Sequence, residues 1–173
     1  MGILKAGAAY VPLHPHLPSA RLAHQLTETE TRILVSQQSL LSRLPGFDGH
    51  VFSLDRDQPA LESQPETNPP ATATAADPIY VIYTSGSTGV PKGVATIHRN
   101  VVNYTQSICR ILNLTDPLTF ADVSTLAADL GNTPIYAALA SGGCLHMISD
   151  DVLLDGLLYL SLIHISLDRK SVV

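Results

Sequence analysis

Apolar and polar positions along the chain follow two periods. Short β-favouring runs over residues 9–13, 32–36, 51–54, 79–84, 94–97, 119–123 and 144–148 predict strands. Between them, spacing near 3.6 predicts helices. Residues 3–6 read as a helix end stopped by Gly7, and Ser19 reads as the N-cap of a helix running to about residue 30. That helix carries Leu22, Ala23 and Leu26 on one face, but Thr29 and Glu30 follow where the stripe should continue. A short helix is predicted over 39–44. Val101, Tyr104, Ile108, Ile111 and Leu112 predict another over about 100–112. A further helix is predicted over 129–140, closed by Ser141, Gly142 and Gly143. Alternation of this kind predicts an α/β fold, a mostly parallel sheet flanked by helices. The uninterrupted apolar run at 79–84 (IYVIYT) is expected as a central parallel strand.

Residues 57–78 break the pattern. They hold five prolines, repeated Ala and Thr, and Leu61 as the one large apolar side chain. Such a segment buries too little to offset its ordering entropy and reads as a solvated connector, either between lobes or as one long surface loop.

Composition narrows the function classes. Ten Lys and Arg against fifteen Asp and Glu give a net charge of −5, with no basic footprint for nucleic acid or an anionic membrane. With six Tyr, three Phe and no Trp, the core must rest mainly on Leu, Val, Ile and Ala. Cys109 and Cys144 form no CxxC, so a reducing, cytoplasmic compartment is expected. Residues 152–165 are strongly apolar but contain Asp155 and Gly156 and fall short of the ~18–20 residues of a bilayer span.

The informative string is YVIYTSGSTGVPKGV, residues 80–94. Its glycines let a backbone approach an anion closely, and Thr84, Ser85, Ser87 and Thr88 add hydroxyl donors. Lys92 adds a compact positive charge suited to phosphate. A plain glycine-rich turn would not gather these groups in ten positions behind a buried strand. The string is not a Walker A loop, because Gly93 and a strand follow Lys92, and it contains no GxGxxG.

This string resembles the phosphate-binding signature of the adenylate-forming, AMP-binding superfamily, and in particular of amino-acid adenylation domains of nonribosomal peptide synthetases. LKAGAAYVPL at 4–13, with Pro15, Pro18 and Arg21, is similar to the family's upstream core motif, with His14 in place of the usual Asp. AALASGGCL at 137–145 resembles the helix end and strand that follow its substrate-pocket motif.

The resemblance implies the partial N-terminal large subdomain of such an enzyme. Its chemistry converts a carboxylic acid and ATP, with Mg²⁺, to an acyl-adenylate and pyrophosphate, then acylates the phosphopantetheine thiol of a carrier protein. Thr84, Ser85, Gly86, Ser87, Thr88 and Gly89 would cradle the departing phosphates, with Lys92 as the catalytic cation beside them. Alignment back from 137–145 puts Asp129 where amino-acid-activating members bind the substrate ammonium, with Leu130 and Thr133 lining a pocket for a small polar side chain such as that of Asp or Asn. Read without the alignment, Asp129 is equally a helix N-cap. Implied partners are an amino-acid substrate and the carrier and condensation domains of a parent synthetase.

Two other readings stay open: an acyl- or aryl-CoA ligase of the same superfamily, against which Asp129 argues, and a non-catalytic nucleotide-binding fragment. His14, His16 and His24 lack the companions of a zinc site and read as solvated. His98 matches a histidine common after the signature and reads equally as a pocket or a core residue. Asp150 and Asp151 read as a charged strand end. Residues 1–161 are expected as a partial adenylation domain lacking the family's later motifs. Residues 162–173 form a tail outside the family, and 161–166 are similar to translated sequencing-adapter read-through.

Overall fold

The computed structural model describes residues 1–44, 46–85, 91–114, 118–167 and 171–172. Chain order is α1 (Gly2–Lys5), α2 (Ser19–Glu28), β1 (Ile33–Ser36), α3 (Gln38–Leu41), β2 (His50–Ser53) and α4 (Gln58–Glu62). Then come β3 (Pro78–Thr84), β4 (Lys92–Ile97), α5 (His98–Ile111) and β5 (Thr119–Asp122). A 3-10 turn (Asp129–Gly131) leads into α6 (Asn132–Ser141), β6 (Cys144–Met147), α7 (Asp150–Leu154), α8 (Gly156–Leu167) and β7 (Ser171–Val172).

The fold is mixed α/β. Strands β1 and β2 pair in parallel, and β5 pairs in parallel with β6 on one side and β7 on the other. Strand β3 departs from the expected parallel setting, because its ladder partner β4 is antiparallel. The physical reason is connection length. Seven residues separate β3 from β4, whereas a parallel crossover needs about a dozen or more. On its other side β3 has one parallel bridge, Tyr10 to Tyr80. The predicted strand at 9–13 is reduced to that bridge, since Pro12 supplies no donor to a ladder.

Burial explains the arrangement. On β3, Ile79, Tyr80 and Ile82 are buried and pack with Val101 of α5, flanked by Leu4, Tyr10 and Tyr136. A second cluster joins Phe120 of β5 to Ala137 and Ala138 of α6, flanked by Cys109, Leu114, Leu118 and Leu145. Helices α5 and α6 each contribute to both clusters, so they lock the β3–β4 hairpin to the parallel sheet. Helix α6 ends at Gly142, whose φ of +70° is the left-handed cap that a side chain would strain.

Three further elements differ from expectation. Ser19 is the first residue of α2 and not its cap, a position Pro18 takes. Asp150 and Asp151 do not end a strand: they occupy the first turn of α7 behind Ser149, where carboxylates favour the positive end of the helix dipole. The stretch 58–76 is exposed throughout, yet it contains α4. Its end is tied down, with the carbonyls of Asp77 and Ala75 accepting the His98 and Arg99 N–H groups at 3.0 and 2.9 Å. These two bonds satisfy donors that the first turn of α5 would otherwise leave open.

Two carboxylates at strand ends have opposite electrostatics. After β2, Asp57 accepts the Ser53 N–H at 2.8 Å and pairs with Arg56 at 2.7 Å. The Arg56 bond first, then the Ser53 N–H, lowers its pKa from 3.8 to about 2. Asp122, at the end of β5, is 1% exposed; its Oδ1 accepts the Ser124 N–H at 3.0 Å, and among the described residues its Oδ2 has no partner. Burial therefore raises its pKa, against the opposing pull of the Ser124 bond.

The signs give two predictions. The contribution of Asp57 is present above pH ~4 and disappears as pH falls through its folded value of about 2. Asp57→Asn should thus be destabilising near neutrality, with the difference from wild type shrinking on acidification below pH ~4. For Asp122, whose folded pKa is raised, the favourable contribution is present at low pH and lost as pH rises through the folded value. Asp122→Asn should improve relative to wild type between pH ~3 and pH ~7. Thermal melts of each pair across that range check both, and a pH-independent difference contradicts the assignment concerned.

Candidate functional site

Strand β3 positions the site through its twofold alternation. Tyr80, Ile82 and Thr84 share one face, while Ile79, Val81 and Tyr83 share the other. In the antiparallel register Thr84 lies directly opposite Lys92, which puts a hydroxyl and an ammonium side by side at the hairpin mouth, both exposed. Ser85 follows and is exposed as well. The predicted phosphate-loop residues Gly86, Ser87, Thr88 and Gly89 lie outside the described residues. Gly93 faces Tyr83 across the ladder, and a Cβ there would sit 3.1 Å from Val81 and 3.2 Å from the Tyr83 ring. Absence of a side chain at 93 thus lets the mouth of the hairpin close.

Farther down the same face, Tyr80 reaches the predicted substrate residue. Its hydroxyl donates to Asp129 Oδ1 at 3.1 Å, linking positions 49 apart in sequence. Asp129 opens the 3-10 turn before α6 and is itself exposed. The turn and helix have no side-chain capping bond, and the carboxylate is turned to Tyr80 instead. Thr133, one turn on, shares a 2.7 Å hydroxyl contact with Tyr104 of α5. Leu130 is 75% exposed. Asp129 and Thr133 are therefore each held by a tyrosine, whereas Leu130 faces outward.

Behind Asp129 lies a polar cluster that sequence reasoning did not single out. Tyr10 Oη lies 3.1 Å from Tyr136 Oη and donates to Asn132 Oδ1 at 3.3 Å, and the Tyr10 and Tyr80 rings lie 5.7 Å apart. Burial raises the pKa of all three tyrosines. For Tyr80 the nearby Thr96 hydroxyl opposes that shift, and the Asp129 charge adds to it. Each hydroxyl thus stays a neutral donor at physiological pH. The signal was available in the string itself, since a tyrosine inside a buried strand requires a partner for its hydroxyl.

On the opposite face Tyr83 donates to Glu28 of α2 at 2.8 Å, and burial with that bond pushes its hydroxyl up to about 12. Glu28 also lies 3.3 Å from His24. His14 and His16 stack on each other with ring centres 5.4 Å apart. The three histidines therefore do not converge, and among the described residues no group of three or more His, Cys, Asp or Glu is arranged to hold a metal ion. His98 is half-buried at the start of α5, beside a hollow of about 290 Å³ that holds none of the predicted site residues. Both cysteines are free, and among the described residues no helix is long and apolar enough to cross a membrane.

The chain is similar to known proteins over most of its length. The family model described as "AMP-binding enzyme" matches residues 1–165. A linear gramicidin synthase of Brevibacillus parabrevis is 37% identical over 155 residues, which is 90% of this chain and 2% of that protein. The crystal structure of the nonribosomal peptide synthetase FmoA3 in an AMPPNP-bound form superposes with a TM-score of 0.76 at 30% identity, covering 86% of this chain and 15% of that one. The N-terminal subdomain of Klebsiella oxytoca NpsA, in complex with 3-hydroxybenzoyl-AMSN, gives a TM-score of 0.70 at 26% identity, over 88% of this chain and 38% of that one. The chain thus spans a small part of each relative. It belongs to the AMP-binding enzyme family, and its relatives within that family are nonribosomal peptide synthetases.

Proposed function

We propose that this chain carries the phosphate-binding hairpin and the ammonium-binding carboxylate of an amino-acid-activating enzyme of nonribosomal peptide synthesis. The observation that carries the reading is the Tyr80–Asp129 hydrogen bond, which ties a carboxylate to the strand that ends in the hydroxyl- and glycine-rich loop. From Tyr80 to Thr84 the strand rises roughly 13 Å. That span suits an amino acid held by its ammonium at one end and a triphosphate held at the other.

In the reaction, a carboxylate oxygen of the amino acid forms a bond to the α-phosphorus of ATP, and the bond to pyrophosphate breaks. The chain's own residues bind and orient. Asp129 pairs with the ammonium, replacing hydration lost as the substrate enters. Thr84, Ser85 and Lys92, with the loop residues Gly86, Ser87, Thr88 and Gly89, hold the departing phosphates and offset their charge. Thr133 borders the substrate side chain, and Leu130, exposed as it is, lies at the outer edge of that border. Mg²⁺ would neutralise phosphate charge when bound; with no carboxylate cage among the described residues, it fits as an ion held largely by the nucleotide and water. The AMPPNP bound to FmoA3 supports an ATP-type ligand here. The phosphopantetheine thiol of a carrier domain would then accept the aminoacyl group, with a condensation domain as the next partner. The two free cysteines suit a reducing, cytoplasmic setting.

Two substitutions in the full-length protein that carries this chain test the reading by amino-acid-dependent ATP–pyrophosphate exchange. Asp129→Ala leaves the substrate ammonium without its partner and should lower kcat/KM by about two orders of magnitude or more, while narrowing the preference over the des-amino analogue. Equal discrimination before and after the change would remove Asp129 from the pocket and leave a general acyl ligase. Lys92→Ala should slow exchange by on the order of 10²–10³. An unchanged kcat/KM for ATP would rule out its phosphate role.

A further inference from the structure

We infer that Tyr80 is a specificity-determining positioning residue: by occupying Asp129 Oδ1 it fixes the carboxylate so that Oδ2 is presented to the substrate ammonium. This rests on the reading of Asp129 given above. Asp129 is exposed and sits at the start of a single 3-10 turn, where an unrestrained carboxylate would sample several rotamers. Tyr80 has the opposite character. It is 6% exposed, held in the β3 ladder and stacked at 5.7 Å against Tyr10, whose own hydroxyl is engaged by Tyr136 and Asn132. The rigid partner therefore sets the geometry of the mobile one.

The choice of donor matters as much as its position. A phenol orients a carboxylate without neutralising it, whereas Lys or Arg would cancel the charge the ammonium needs. Among the described residues the ion pairs are His24–Glu28 and Arg56–Asp57, and no cation is paired with Asp129. Because Tyr80 and Thr84 share a strand face, the same segment also sets the spacing between the ammonium and phosphate ends of the site.

The test uses ATP–pyrophosphate exchange by the full-length protein, with its amino acid and the des-amino analogue as substrates. Tyr80→Phe keeps the ring and removes the hydroxyl. It should raise KM for the amino acid about tenfold while kcat and KM for ATP stay within about twofold, and it should cut discrimination against the analogue by a similar factor. In an Asp129→Asn background the same change should add nothing. Tyr83→Phe, which removes the hydroxyl on the opposite face of β3 and leaves the Asp129 bond in place, should leave KM for the amino acid near wild type. Unchanged KM in Tyr80→Phe, or an equal rise in Tyr83→Phe, overturns the inference. If Tyr80→Phe fails to fold, fluorotyrosine at position 80 supplies the readout: its ¹⁹F resonance should shift with Asp129→Asn and with the amino acid but not with the analogue, and no shift overturns the inference. A silent Asp129→Ala defeats the underlying reading, whereas an impaired Asp129→Ala beside a silent Tyr80→Phe defeats this inference alone.

Discussion

A tyrosine hydroxyl carried on a largely buried strand needs a partner, and that constraint on β3 organises the site. Its backbone is paired with β4 along one edge and bridged to Tyr10 on the other. Its two tyrosine hydroxyls then have to find partners on opposite faces. Tyr83 takes Glu28 of α2, and Tyr80 takes Asp129 at the entrance to α6. Elements far apart in sequence are thereby placed by the hydrogen-bond needs of one strand. An unpartnered phenol in that position would cost roughly 1–3 kcal/mol, comparable to deleting a buried methyl or two.

The same strand separates two electrostatic tasks. At its end, Thr84 and Lys92 face each other in register and place a hydroxyl and a positive charge at an exposed edge. Farther back, Asp129 places a negative charge beside Tyr80. In one open cleft such groups would attract each other and cancel. The hairpin instead keeps them at separate levels, and on the reading proposed above a substrate with an ammonium at one end and phosphates at the other would be oriented by the field as well as by contacts.

Much of this was legible in the sequence. The run IYVIYT marked a largely buried strand, Gly93 after Lys92 marked a second strand in place of a helix, and Gly142 marked a helix end. Strand direction was not legible in the apolar run, because burial on both faces reads alike in either direction; the seven-residue connection to β4 carried that information. The prolines at 12 and 15 held the reason why residues 9–13 form a bridge and not a strand. Asp129 was ambiguous for a different cause. A cap and a ligand-binding carboxylate share the same residue type and the same place before a helix. The structure shows no side-chain capping bond there and a contact to a tyrosine 49 positions away, which no local pattern encodes.

Precision in this site is distributed unevenly, and the unevenness follows from burial. Tyr80 and Asn132 are buried at 6% and 5% exposure, and Tyr10 and Tyr136 are joined by their hydroxyls, so the back of the site is rigid. Thr84, Lys92, Asp129 and Leu130 are exposed, so the front is wet. A carboxylate in water attracts an ammonium only weakly, because the dielectric screens the pair and both groups are already hydrated. On the proposed reading, selectivity for an ammonium therefore requires the front to be dried after the substrate arrives, at which point a fixed carboxylate counts for far more than a mobile one. A rigid back with an open front is the arrangement in which closure converts geometry set in advance into binding energy.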